Sequence, residues 1–245
     1  MIIIAGTCHD DILYFDSIMT GKRTELFLGR YPLTIGHIFN QEVCLVEGMQ
    51  TNYISSAVTL ALIQQYYAIL VLAVGRCTAF SSDMEAGSIA ISGRTYTGDV
   101  DQMVETSSRL GQIPGMPEYF ASQDDIIGYM VESFDKRGIG HYSVCQYVST
   151  NVNFTKKEQL KEAASGDSLF GSKEKVVLDS NLGGIAVACK LANVPFLGIK
   201  TVSRFLDKPY TVEDYAAALR SYIDVGKGVV TTIGDIGRAD LLGGK

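Results

Sequence analysis

Short apolar runs rich in β-branched residues alternate along this chain with stretches of helical spacing, and that alternation restricts the fold more than any other feature. Ile2–Ala5 reads as a strand running into Gly6 and the acidic turn His9-Asp10-Asp11, and Glu42–Glu47 as a second strand ending at Gly48. Residues 52–67 carry helical spacing, with Ile54, Val58, Ala61, Leu62 and Gln65 on related faces, and Ala68–Val74 follows as a buried strand closed by Gly75. Ser88–Ser92 and Ser143–Ser149 read as further strands. Leu182–Leu191 is a helix rich in small residues, broken by Pro195 before the strand Phe196–Val202. Val212–Val225 closes the series as an amphipathic helix with Tyr215, Leu219, Tyr222 and Ile223 apolar, opened by a capping-box-like Thr211 and Asp214.

Strands alternating with helices predict an α/β protein with a mixed, mostly parallel twisted sheet covered by helices on both faces. Ligands of such sheets bind outside the carboxyl ends of the strands. Five segments occupy that position: Asp10-Asp11, Gly75-Arg76-Cys77, Ser149-Thr150-Asn151, Asp179-Ser180-Asn181 and Ser203-Arg204. The 245 residues suffice for a real core, and residues 1–235 read as one domain without repeat or linker. Residues 165–174 read as a surface loop and 236–245 as a frayed tail.

Composition narrows the function classes. A net charge of -6 argues against general binding to nucleic acid or to anionic membranes. No apolar run approaches eighteen residues, and the first six residues have neither the length nor the positive start of a signal peptide. Five widely spaced cysteines without a CxxC pair, together with three histidines out of metal spacing, point to reduced thiols, a cytoplasmic setting, no metal and no cofactor.

Four passages in order carry a family resemblance. Gly111-Gln112-Ile113-Pro114-Gly115-Met116-Pro117 resembles a segment typical of methylthioadenosine/S-adenosylhomocysteine nucleosidases, members of the nucleoside phosphorylase/nucleosidase superfamily. Upstream, Ala86-Gly87-Ser88-Ile89-Ala90-Ile91-Ser92 is similar to that family's Val-Gly-Asp-Ile-Val-Ile-Ser strand. Downstream, Asn193-Val194-Pro195-Phe196 and Lys200-Thr201-Val202-Ser203 resemble its Val-Pro-Phe…Arg-Ala-Ile-Ser passage, and Ile4–Asp11 resembles its first strand and acidic loop. The resemblance implies a three-layer phosphorylase/hydrolase-like fold, a small-molecule nucleoside or nucleotide as partner, and a homodimer in which residues 112–117 reach toward the neighbouring site.

The family hydrolyses an N-glycosidic bond. An acid assists the leaving adenine, a carboxylate activates water, and another holds the ribose hydroxyls of an oxocarbenium-like sugar. Each position is altered here. The water-activating glutamate corresponds to Asp11, one methylene shorter, and the ribose motif Glu-Met-Glu-Ala falls on Asp179-Ser180-Asn181-Leu182. The adenine acid falls on Arg204, which stays protonated and cannot serve as an acid. The Gly-Ser-Ala-Gly-Gly turn becomes Gly75-Arg76-Cys77-Thr78-Ala79. The resemblance therefore implies a divergent nucleosidase with weak or altered activity, or a non-catalytic nucleoside- or nucleotide-binding protein on the same fold.

Several residues carry two readings. Asp11 is a catalytic carboxylate or a helix-start acid favoured by the macrodipole. Arg76, Lys200 and Arg204 either form a pocket that holds an anion or are surface charges paired with Asp179 or Asp207. Asp207, three residues past Arg204, is a substitute acid or a solvated loop residue. Phe154 is a stacking platform for a base or a core filler, with Asn153 at the family's strict position and Asn151 beside it. Ser180 and Ser203 complete the expected binding set. Cys8 and Cys77 read as small buried hydrophobes.

Overall fold

The computed structural model describes residues 1–81, 83–100, 111–159 and 175–236. The expected loop at 165–174 lies outside the described residues. Ten strands form one sheet: β1 Ile2–Ala5, β2 Thr20–Phe27, β3 Tyr31–Ile38, β4 Gln41–Val46, β5 Leu70–Ala79, β6 Ile89–Thr97, β7 Phe120–Ala121, β8 Tyr142–Ser149, β9 Lys175–Asp179 and β10 Phe196–Phe205. Among the described residues five helices cover it: α1 His9–Ile18, α2 Asn52–Tyr66, α3 Asp124–Lys136, α4 Leu182–Ala192 and α5 Val212–Ile236.

Alternation along the strands sorts side chains into two cores. In β1, Ile3 and Ala5 point with Cys44, Val46, Val71 and Ala73 toward Val58 and Leu62 of α2 and Ile185 and Cys189 of α4. Ile2 and Ile4 point with Val43, Leu45, Leu70 and Leu72 to the other face. There they meet Ile12 and Phe15 of α1, Met130 and Phe134 of α3, and Val229 and Ile233 of α5. A strand covered on both faces needs a continuous apolar run, which is why β1 is Ile-Ile-Ile-Ala and wholly buried.

The strand order is β10-β6-β8-β9-β5-β1-β4-β3-β2, and β10 also pairs with β5. Strands β5, β10, β6, β8 and β9 thus close into a ring, from which β1, β4, β3 and β2 extend as an open wing. The sheet is mixed. Parallel pairs join β1 to β4 and β5, β5 to β10, β6 to β8 and β8 to β9. Antiparallel pairs join β6 to β10 and β7, β5 to β9, and β3 to β2 and β4.

Three strands outrun the sequence expectation, among them β6, which continues past Ser92 to Thr97. β5 continues past Gly75 to Ala79 and β10 past Val202 to Phe205, because each supplies the other's partners out to Phe205↔Ala79. α5 likewise runs past Val225 through Gly226 and Gly228. A Cβ at either glycine would collide with the ring of Tyr14 or Phe134, so these glycines serve close packing and do not end the helix. Ile236, expected at the start of a frayed tail, is the buried last residue of α5, while 237–245 lie outside the described residues. Among the described residues no helix is long and apolar enough to cross a membrane.

Candidate functional site

The cleft arises where β5 changes neighbours. Leu70–Ala73 pair with β1 on one side, Thr78 and Ala79 pair with β9 on that side, and the residues between have a strand partner only in β10. The parting of β1 from β9 opens a crevice over Gly75, Arg76 and Cys77, the kind of switch point where α/β sheets bind ligands. A cavity of about 690 Å³ fills it. Its wall includes Thr7 and Cys8 after β1, Arg76–Thr78 of β5 and Thr150–Phe154 after β8. It also includes Leu178–Ser180 at the end of β9, Ser203 and Arg204 of β10, and Gln50, Tyr210 and Tyr215. Four of the five segments singled out by their positions after strands contribute to this wall, and the fifth, Asp10-Asp11, is represented by the preceding Thr7 and Cys8.

Side-chain placement departs from expectation at Asp11, Asn181 and Lys200, none of which lines the cavity. Asp11 sits behind the wall with a fully buried side chain. Its Oδ2 accepts from the Thr7 amide at 2.7 Å, the Cys8 amide at 3.2 Å and the Thr7 hydroxyl, and its Oδ1 accepts from the Tyr222 hydroxyl at 2.5 Å. The Arg76 Nε lies 3.9 Å from Oδ1. Gly75 permits this burial: its φ is +141°, and a Cβ there would stand 3.0 Å from Asp11 Oδ2. Burial, followed by the adjacent Asp11 charge and hydrogen bond, pushes the Tyr222 phenol well up. The arrangement locks the loop between β1 and α1.

Lys200 is 1% exposed, and its ammonium donates to Asp179 Oδ2 and Asn181 Oδ1. The same Asp179 oxygen accepts from the Leu182 amide at 2.8 Å and the Asn181 amide at 3.3 Å, tying the start of α4 to β9 and β10. Asn181 spends its Nδ2 on Met49 O at 2.8 Å. Lys200 is thus the counter-ion of Asp179, as one of its two readings had it, but in the interior and not on the surface. The other Asp179 oxygen, Oδ1, is buried beside the cleft with no hydrogen-bond partner among the described residues.

Of the remaining candidates, Arg76, Asn151, Asn153, Phe154, Ser180, Ser203 and Arg204 do line the cavity. Asn151 is committed at both ends of its amide: Nδ2 donates to Asp99 at 2.8 Å and Oδ1 accepts from the Asn52 amide at 2.9 Å. Ser180 Oγ donates to Gln50 O at 2.9 Å. Phe154 packs on Val148, Val176, Leu178 and Leu206 and also lines the cavity. Arg204 is exposed, with its guanidinium 5.7 Å from the centre of the Tyr210 ring. Arg76 lies 4.8 Å from the centre of the Tyr215 ring, and its Nη2 is 3.4 Å from Cys8 Sγ. Asp207 is an exposed turn residue at φ +63° whose carboxylate caps the Lys157 amide at 3.2 Å, away from the cavity wall. Tyr210, Tyr215 and Tyr222 went unrecognised as site residues. Tyr215 and Tyr222 were visible only as apolar positions seven apart on one helix face.

Cys8 is half-buried on the wall and is not a plain core residue, whereas Cys77 lines the floor from a buried position. Burial, then the Asp11 charge, raises the Cys8 thiol, so Arg76 does not turn it into a ready thiolate. Among the described residues no group of three His, Cys, Asp or Glu side chains could hold a metal ion.

Comparison with known proteins places this architecture. Residues 10–233 match the family model of the Phosphorylase superfamily. The 5'-methylthioadenosine/S-adenosylhomocysteine nucleosidase of Colwellia psychrerythraea (strain 34H) is 22% identical over 218 residues, 86% of this chain and 87% of that protein. Among solved structures, the nucleosidase of the same name from Neisseria meningitidis, in complex with methylthio-immucillin-A, aligns with TM-score 0.84 and 19% identity over 95% of this chain and 97% of that one. Futalosine hydrolase of Helicobacter pylori strain 26695 aligns with TM-score 0.81 and 17% identity over 96% and 97% of the two chains. The chain belongs to the phosphorylase superfamily, and the relatives it resembles there are methylthioadenosine/S-adenosylhomocysteine nucleosidases.

Proposed function

We propose that the cleft binds a nucleoside-class small molecule and that any N-glycosidase activity toward methylthioadenosine or S-adenosylhomocysteine is slow. One point carries this reading: by the resemblance, the position of the family's adenine acid falls on cleft-lining Arg204, a permanent cation. Asp11 cannot take over as that acid, because it lies behind the wall and both its oxygens are occupied. Phe154 offers a flat apolar face for a base. A missing general acid costs about 10²–10⁴-fold in rate.

Adenine release from both nucleosides, measured beside nucleoside-dependent thermal shifts, tests the reading. The expected result is a stabilising shift, slow or undetectable release, and faster release after Arg204→Asp combined with Asn181→Glu and Asp11→Glu. Rapid release by the unaltered protein, or the absence of any nucleoside shift, would overturn it. A second reading, a non-catalytic binding protein, is favoured by the saturated and fully buried Asp11 carboxylate. It predicts nucleoside shifts with no release from either protein. We also propose a homodimer through residues 112–117, where Ile113 and Met116 are half-buried against the chain's own core. Sedimentation at one chain mass would refute that.

A further inference from the structure

We propose that the cleft selects nucleosides bearing an oxyanion, a phosphate or a carboxylate, held by Arg204 with Arg76 behind it; the inference rests on the nucleoside reading above and names its substrate class. The charges decide it. The charged groups on the wall are Arg76, Arg204 and Asp179. Asp179 is already matched by buried Lys200, and Arg76 faces the buried Asp11 carboxylate. Arg204 has no carboxylate partner among the described residues. A chain of net charge -6 therefore lines this cleft with a guanidinium that no carboxylate among the described residues pairs with, and its field favours anions there.

Both guanidinium groups are also held in place. Arg76 and Arg204 rest on Tyr215 and Tyr210, whose rings lie 6.4 Å apart at 65°, so one aromatic pair just before and within the first turn of α5 supports both cations. Stacking on a tyrosine face restrains a side chain of high rotamer entropy while leaving its N–H fork free to donate. Guanidinium forks match the geometry of phosphate and carboxylate oxygens. A neutral nucleoside would leave these donors to water.

Calorimetric titration separates the possibilities, with adenosine, adenosine 5'-monophosphate, adenosine 5'-carboxylic acid and inorganic phosphate as probes. At low salt at least one anionic nucleoside should bind about 10–100-fold tighter than adenosine, the range of a charge-assisted hydrogen bond. The stronger of the two identifies the oxyanion. The preference should shrink as salt is raised, collapse in Arg204→Gln, and persist in Arg23→Gln, a surface change on β2. Equal affinity for adenosine and both anionic nucleosides would overturn the proposal, as would a preference that survives Arg204→Gln. Phosphate binding that depends on Arg204, without binding of any nucleoside, would sustain the anion site and defeat the nucleoside reading. Silence with all four probes would defeat both.

Discussion

Replacing Lys200 with methionine should expose how much of the cleft rests on one buried charge pair. The Lys200 and Asp179 side chains are 1% and 0% exposed, so the ammonium and carboxylate meet where water cannot substitute for either. Methionine keeps most of the volume but leaves Asp179 as an unmatched buried anion, with the Leu182 and Asn181 amides as its remaining donors. One-sided loss of a buried pair costs about 3–5 kcal/mol. The two retained amide bonds put this case near the lower end, about 3 kcal/mol. At roughly 2–4 °C per kcal/mol for a chain of this size, Tm should fall by about 6–12 °C. Urea titration followed by far-UV circular dichroism, with calorimetry for Tm, measures both quantities. The double variant Asp179→Asn with Lys200→Met removes the stranded charge and should recover at least half of the loss. A Lys200→Met protein within about 1 kcal/mol of the parent, or a double variant no more stable than the single one, would refute the reasoning.

Three further outcomes follow from the packing around the site. Tyr222→Phe removes the hydroxyl that donates to Asp11 Oδ1 and should cost about 1.5–3 kcal/mol in urea unfolding, the worth of a hydrogen bond to a charged group; an unchanged midpoint would contradict it. Gly228→Ala should destabilise by about 1–3 kcal/mol although alanine is the better helix former, because its methyl meets the fully buried ring of Phe134; a rise in Tm would contradict it. Alkylation of the native protein should modify Cys8 alone, slowly near neutral pH and faster as pH rises beyond the ordinary thiol range, because burial and then Asp11 disfavour its thiolate. Burial pushes Cys44, Cys145 and Cys189 up to about 12 and Cys77 well above its ordinary value, so mass spectrometry showing a second thiol labelled at a comparable rate would contradict the assigned burial.

β1, α2, β8 and α4 were legible to within a residue or so, because each is an apolar run or stripe ended by a glycine, a proline or a polar turn. The β2–β3 hairpin was not, since β2 is almost wholly exposed and Lys22, Arg23 and Glu25 give it no apolar period. α3 was present in the sequence as Ile126, Met130 and Phe134, four apart, and was passed over. For the site, position after a strand identified four of the segments that line the cleft. Which side chains turn toward the cavity was a different matter. Asp11, Asn181 and Lys200 face inward because partners on other segments, half-buried Tyr222 and buried Met49 and Asp179, claim them. No local pattern encodes those long-range pairings.

The ring of β5, β10, β6, β8 and β9 also governs how the chain meets its own kind in crowded solution. A closed circuit of strands offers no free outer edge, and its pairing opens only locally, at the cleft beside residues 74–77 of β5. Among the described residues the outer edges of the sheet fall to two-residue β7 and to β2, the outermost strand of the wing. β2 places Lys22, Arg23 and Glu25 along that border. A second copy adding itself there in register would set like charges side by side, so the one long edge left open is guarded against runaway strand addition.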